Sequence, residues 1–311
     1  MTKLVLGTAQ FGLKYGINNK TGKLSKPRVH EILKYAYDKG IKYFDVANAY
    51  GNAEEILGEF IEKNKLKNKI SIISKLKPNI LDGYKGKLGK LIEGQINLSL
   101  SRLKIDSLKG YLLHTPEYIY NNEVIRILKK IKKKGLIKNF GVSTYNEKEA
   151  VYAALLPVDF IQVPYNVFDQ RLDKTDFFTI AKKNKVKIFA RSPFVQGLVL
   201  MKNEEIPKHL NETQPYLKIF DKIIKRYSLT RLEAALLFSY NNKNLDHVVI
   251  GVDNLGQLKE AIRITSNFAD PIRLKECFIE LNKKFRNVKG SFFIPSLWQI
   301  LSKRKRLNAK V

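Results

Sequence analysis

A closed parallel (β/α)8 barrel is the α/β fold this sequence predicts, and three observations predict it. Eight short apolar runs occur, near residues 3–7, 41–47, 70–76, 108–114, 137–143, 159–165, 186–191 and 246–251. Stretches of helical periodicity separate them, and strand–helix alternation of this kind makes a parallel sheet. Four polar residues, Asp45, Tyr50, Lys75 and His114, sit where three successive runs (YFDVANAYG, ISIISKL and GYLLHT) give way to loops. A barrel gathers the C-terminal ends of its strands into one mouth, so it would bring all four together. Periodicity by itself leaves an open, doubly wound sheet as the alternative.

The helical stretches have recognisable ends. Ser25 with Pro27 starts the first one, and Gly40 stops it where a left-handed residue is needed. Gly135 ends the stretch NNEVIRILKKIKK in the same way. A helix near 230–240 (TRLEAALLFSY) opens after Ser228 or Thr230, both suitable caps. An extra C-terminal helix near 271–286 and a basic tail fall outside the eightfold repeat. The expected division is a barrel over residues 1–290 and an apolar, then basic, tail over 291–311.

Composition bounds the rest. A chain of 311 residues that is 44% hydrophobic can bury one large core. A single cysteine, Cys277, excludes an internal disulfide framework and a multi-cysteine metal site, and its setting in RLKECFIEL reads as packing. No apolar run is long enough to span a bilayer, and MTKLVLGTAQFG lacks the pattern of a signal peptide. A cytoplasmic protein is the expectation. The net charge of +28 invites a nucleic-acid reading, but the lysines are scattered over presumed solvent faces of helices, as in EILKYAYDKG and IFDKIIKRYS. The last 31 residues carry nine Lys or Arg and no acid. Without them the body still stands at +19, yet it holds no reading motif and no aromatic-interleaved basic stripe, so no specific nucleic-acid partner is expected.

A phenol, an ammonium, a carboxylate and an imidazole in one pocket form a proton relay. Such a set suits protonation of a carbonyl oxygen while hydride arrives from elsewhere. A phenol with a pKa near 10 keeps its proton at neutral pH yet can release it to an alkoxide. On this logic Tyr50 is the donor, and Lys75 beside it favours the phenolate. Asp45 pairs with Lys75, and His114 hydrogen-bonds and polarises the carbonyl.

Further motifs stand in a fixed order: GTAQFG (7–12), FDVANAYGNAEEILG (44–58), SKL with Lys75, LLHTPE with His114, FGVST (140–144), IQVPYN (161–166), RSPFVQGLV (191–199) and GVDNLGQL (251–258). Together they resemble the aldo-keto reductase superfamily over about residues 3–266. The resemblance implies the (β/α)8 barrel and an NAD(P)H-dependent reduction of aldehydes or ketones that needs no metal. It implies that Asp45, Tyr50, Lys75 and His114 are catalytic. Ser143 and Gln162 would hold the nicotinamide carboxamide, with Thr144 where the family often has Asn. Arg191 takes a position where many members stack an aromatic on the nicotinamide, and its charge could instead meet a pyrophosphate or an acidic substrate. Ser192, Gln196, Gly197 and Leu198 follow in a loop over the pyrophosphate. Gly7 and Thr8, with Gly251, Asp253, Asn254 and Gln257, complete the implied cofactor site.

The departure from the family pattern lies in GVDNLGQL. NADPH-preferring relatives usually place Lys or Arg in this turn, whereas Asp253 followed by Asn254 stands here. A carboxylate repels a 2′-phosphate and accepts hydrogen bonds from a free ribose, so NADH and NADPH both remain candidates. Arg263, further along the helix, could still reach the phosphate. Asp or Asn before LGQLKEAI is also an ordinary helix cap. In the tail, Phe292, Phe293, Ile294, Leu297, Trp298, Ile300 and Leu301 precede the basic block Lys303–Arg306. The expected role of the apolar part is to wall the substrate pocket; the alternative is contact with an anionic membrane surface. The expected partner is a small carbonyl compound. Two other readings remain: a cofactor-binding regulatory subunit with little turnover, and a surface-binding protein that works through its charge.

Overall fold

The computed structural model describes residues 2–267, 270–288 and 293–298. Its eight strands are β1 (Leu4–Gly7), β2 (Tyr43–Asp45), β3 (Ser71–Lys75), β4 (Gly110–Leu113), β5 (Phe140–Ser143), β6 (Phe160–Pro164), β7 (Lys187–Arg191) and β8 (His247–Ile250). They pair in sequence order, and β1 closes on β8 through Leu4–Val248, Val5–Val249 and Leu6–Ile250. Every pairing is parallel. The closed ring settles the choice against an open sheet.

Helices return the chain after each strand. The one-turn α1 (Ala9–Gly12) and then α2 (Lys26–Asp38) follow β1, and α3 (Ala53–Lys63), α4 (Leu88–Leu103), α5 (Asn122–Lys133), α6 (Glu147–Leu155) and α7 (Phe177–Lys183) follow β2 to β6. Two helices, α8 (Gln214–Arg226) and α9 (Arg231–Tyr240), follow β7, and α10 (Leu255–Asn267) follows β8. The extra helix α11 (Pro271–Phe285) packs beside α8. Ser25 stands at the N-cap of α2 with proline in its first turn, and Gly40 and Gly135 take φ of +86° and +83°. Between the two caps considered for α9, Thr230 does the work: its hydroxyl accepts from Glu233 N, and the Glu233 carboxylate accepts from Thr230 N.

Side chains alternate across a strand with a period of two, and here that period builds the site. One set points outward into the helical layer; Leu4, Leu6, Phe44, Ile72, Ile161 and Ile188 belong to that continuous core. The other set points into the barrel. Val5, Ile73, Leu112, Phe160, Phe189 and Val249 form a separate buried cluster there, with Tyr43 packed against it. Two residues beyond each member of this floor stands a residue of the mouth: Gly7, Asp45, Lys75, His114, Gln162, Arg191 and Gly251. On β5 the same step runs from Gly141 to Ser143. Gly141 tolerates no side chain, since a Cβ there would lie 1.7 Å from the Phe160 carbonyl oxygen.

Candidate active site

The mouth is held by a chain of polar contacts that run between neighbouring strands and, from β6 to β2, across the barrel. Lys75, fully buried, donates to Asp45 Oδ1 (2.5 Å), to the Val46 carbonyl (3.2 Å) and to the Tyr50 hydroxyl (3.3 Å). These account for all three ammonium protons. The other Asp45 oxygen accepts from Gln162 Nε2 (2.8 Å), and Gln162 Oε1 accepts from Ser143 Oγ (3.4 Å). Thr8 binds the Asp45 backbone carbonyl through both its amide (2.9 Å) and its hydroxyl (3.0 Å). Side chains at the ends of β2, β3, β5 and β6 are thus linked in one network around the Asp45–Lys75 pair, and Thr8, just beyond β1, anchors the Asp45 backbone. A buried ion pair is sustained by further hydrogen bonds to its protons and lone pairs, and here Lys75 uses all three protons while each Asp45 oxygen accepts one bond.

Tyr50 reaches this network from the loop between β2 and α3. The loop lies against α1 at van der Waals limits: a Cβ on Gly12 would sit 1.7 Å from the Tyr50 carbonyl oxygen. Gly51, at φ +57°, would put its own Cβ 2.4 Å from the Gly12 oxygen. Two glycines thus fix where the phenol enters the barrel. Burial holds the Tyr50 pKa well above its ordinary value, with Asp45 adding to the effect and Arg191 opposing it. Lys75 donates to the phenol oxygen, the contact through which it would favour the phenolate as the proton leaves. The ammonium lies closer to Asp45, and desolvation dominates, so the phenol is firmly protonated. Because Lys75 donates to the phenol oxygen, the phenol's own proton is free to point into the cavity.

His114 stands edge-on to Tyr50, with ring centroids 6.0 Å apart, and its Nδ1 has no hydrogen-bond partner. Burial lowers its pKa to about 3, and Lys75 and Arg191 push the same way. It is a neutral imidazole throughout the physiological range.

Two adjoining cavities open at the mouth. The first runs from Tyr50 and Asp45 past Gly7, Thr8 and Gly251 to Asp253 and Gln257. The second is bounded by Tyr50, His114, Ser143, Asn166 and Asp169. Gln162, Arg191, Ser192 and Gln196 border both, and Gly197 borders the first. Three of the expected cofactor residues line neither. Thr144 is buried, with its carbonyl accepting from Arg191 Nη2 (2.9 Å); Leu198 is buried in the core; and Asn254 accepts from Gln257 N (2.9 Å) as the cap of α10. Phe293 of the tail stacks on Phe168 (4.3 Å, 8°) and, with Ile294 and Pro295, closes one side of the second cavity. Phe292, Ile300, Leu301 and the basic block 303–306 lie outside the described residues.

Asp253 lies at the far end of the first cavity. Its Oδ1 accepts from Asn19 Nδ2 (3.0 Å), its amide donates to Gln257 Oε1 (2.7 Å), and burial raises its pKa. Arg263 does not border the cavity; its guanidinium lies 3.9 Å from Glu233 and 4.0 Å from Glu260. The residues that sequence reasoning missed come mainly from the long β1–α2 loop. Tyr15 borders both cavities and accepts from Gln196 (3.3 Å), Asn18 lies under Gly197, and Asn19 grips Asp253. The run INNKTG signals a turn, but nothing in it signals that the turn reaches β8.

Among the described residues no cluster of His, Cys, Asp and Glu could hold a metal ion, and no helix is long and apolar enough to cross a membrane. The sequence pattern of the Aldo/keto reductase family matches residues 3–271. The aldo-keto reductase YhdN of Bacillus subtilis is 26% identical over 260 residues, covering 76% of this chain and 78% of its own. The L-glyceraldehyde 3-phosphate reductase of Escherichia coli O157:H7 is 23% identical over 270 residues, with the same coverage of 76% and 78%. In structure, the holo form of the aldo-keto reductase AKR11C1 from Bacillus halodurans superposes with a TM-score of 0.70 at 20% identity, covering 90% of this chain and 91% of that one, a likeness of fold. With a family match over nearly the whole barrel and the family's fold beneath it, this chain belongs to the Aldo/keto reductase family.

Proposed function

We propose that the chain reduces an aldehyde or ketone to an alcohol with a nicotinamide cofactor, the proton coming from Tyr50. The observation that carries this reading is the direction of the hydrogen bonds around Tyr50. Lys75 donates to the phenol oxygen, which leaves the phenol proton directed at the cavity shared with His114. A carbonyl oxygen seated between Tyr50 and His114 would meet a donor that keeps its proton until negative charge develops. Neutral His114, with its unpartnered Nδ1, would orient that oxygen through its other nitrogen, without competing to protonate it. Asp45 holds Lys75 in place and neutralises its charge before reaction.

The first cavity fits a dinucleotide. It extends from Tyr50 and Asp45 at one end to Asp253 and Gln257 at the other, and it is floored by backbone at Gly7 and Gly251. Gln162, which borders both cavities, and Ser143, on the second, would bind the carboxamide with an amide and a hydroxyl, and Ser192, Gln196 and Gly197 would cover the phosphates. A bound NADH or NADPH would supply hydride to the carbonyl carbon. Asp253, braced by Asn19 and with no cation at its end of the cavity, supports use of NADH within about tenfold of NADPH or better, a difference of at most about 1.4 kcal/mol. Phe293, Ile294 and Pro295 would wall the substrate side. Parallel fluorescence titrations with NADH and NADPH, followed by a panel of aldehydes and ketones, test the reading. Saturable cofactor binding with turnover supports it, and binding without turnover of any carbonyl would favour a regulatory subunit.

A further inference from the structure

Arg191 is the last residue of β7 and borders both cavities. Its guanidinium is held in place on three sides. Nη2 donates to the Thr144 carbonyl (2.9 Å), Nη1 to Ser192 Oγ (3.4 Å), and the plane lies over the Tyr145 ring at 4.7 Å. None of these partners carries a charge, and two of the five guanidinium protons are used. The ammonium of Lys75 and the carboxylate of Asp169, which borders the second cavity, are each neutralised by direct contact. Lys75 pairs with Asp45 at 2.5 Å, and Asp169 is gripped by Arg171 through two bonds of 2.7 and 3.0 Å. Among the described residues Arg191 has no carboxylate within ion-pair distance, so it is the one charge of the second cavity left without a counter-ion.

A half-buried cation fixed on neutral groups, with free donors beside a cavity, is arranged to receive an anion. The planar fork suits the two oxygens of a carboxylate or a phosphate. Its field is also felt across the cavity, where it contributes to suppressing protonation of His114. We propose that Arg191 is the counter-ion for an anionic group on the substrate, so that the preferred substrates are aldehydes or ketones bearing a carboxylate or phosphate. This deepens the carbonyl-reduction reading above and rests on it. Arg191 would not touch the reacting carbon; it would decide which carbonyl compounds are held against Tyr50.

Matched substrate pairs test the inference: 4-oxobutanoate against butanal, and glyceraldehyde 3-phosphate against glyceraldehyde. The charged member of at least one pair is expected to show kcat/KM at least tenfold higher, and the pair that responds tells carboxylate from phosphate. In Arg191→Gln that advantage should collapse toward unity, carried by a rise in KM for the charged member; Arg191→Lys should restore part of it. Equal kcat/KM within both pairs in the wild-type enzyme would overturn the inference. So would a loss in Arg191→Gln that is equal for charged and neutral substrates and carried by weaker cofactor binding. If no member of either pair is reduced, the carbonyl reading fails separately, and calorimetry with 4-hydroxybutanoate decides the anion site. Binding that disappears in Arg191→Gln supports it, and no binding to the wild type overturns it.

Discussion

The floor and the mouth of this barrel are two residues apart on every strand, yet they do opposite things with the same geometry. On β3 the step from Ile73 to Lys75 goes from a packed apolar layer to a buried ammonium; on β6 it goes from Phe160 to Gln162, and on β7 from Phe189 to Arg191. Each layer also holds a histidine whose burial lowers its pKa. His247 is wedged between Tyr43 and Phe189, with centroids 4.6 Å from each, whereas His114 faces an open cavity. At about 3.3 Å per residue, some 7 Å along a strand separates scaffold from chemistry. The lesson is that one inward-facing period carries both layers, an apolar floor and, one step along each strand, a polar mouth held by its own hydrogen bonds.

The largest expected contrast is therefore between two substitutions on β3. Lys75→Met leaves Asp45 buried with only Gln162 to satisfy it, which should destabilise the fold by about 3–5 kcal/mol and lower turnover by ~10²-fold or more. Ile73→Val, one step down the same strand, should cost about 0.5–1.5 kcal/mol with turnover nearly intact. Chemical denaturation alongside steady-state kinetics checks both. Comparable losses of activity in the two variants would erase the distinction between the layers.

Much of this was legible in the sequence, for physical reasons that differ by element. All eight strands are visible because both faces of a barrel strand are buried, so each reads as a short apolar run bounded by breakers. The inward positions could be read because a period of two leaves no freedom once a strand is placed: Asp45, Lys75 and His114 had to share a mouth if the ring closed. The balance of forces on Tyr50 could not be read, since it depends on how tightly Lys75 engages Asp45. Nor could the loop partners be read. Asn19 meets Asp253 across 234 residues of chain, and no local pattern encodes that contact. Asn254 was assigned both a cap and a cofactor role, and its side chain makes the cap.

The contrast can be sharpened at the edges of the mouth. Asp253→Lys removes the carboxylate that Asn19 braces and should move cofactor preference toward NADPH by about tenfold or more, measured as the ratio of dissociation constants. A wild-type enzyme that already prefers NADPH a hundredfold would overturn the role given to Asp253. Removing the chain after Gly290 takes away Phe293, Ile294 and Pro295 from the second cavity. KM for carbonyl substrates should rise severalfold and specificity broaden, with cofactor affinity little changed. Unchanged kinetics together with loss of binding to anionic vesicles would move the tail from the pocket to a membrane surface.

The smallest effect separates the two histidines by pH. Both have folded pKa values below the unfolded value near 6.5, so the unfolded chain binds more protons as the solution is acidified. The stability they contribute is complete above about pH 6.5 and declines as pH falls from there, for His114 toward about 3. His247→Phe should flatten this acid-side slope with activity retained, while His114→Asn should flatten it and impair turnover. Thermal melts from pH 7 down to 4 read the slopes.

The account's central claim is that Tyr50 supplies the proton from a site whose cofactor cleft is built by other residues. Tyr50→Phe tests it most directly, with cofactor titration and carbonyl reduction measured on the same preparation. The expected result is reduction lowered by ~10²-fold or more with the dissociation constant for NADH or NADPH within a few fold of wild type. Near wild-type turnover in Tyr50→Phe would contradict the assignment of the whole mouth.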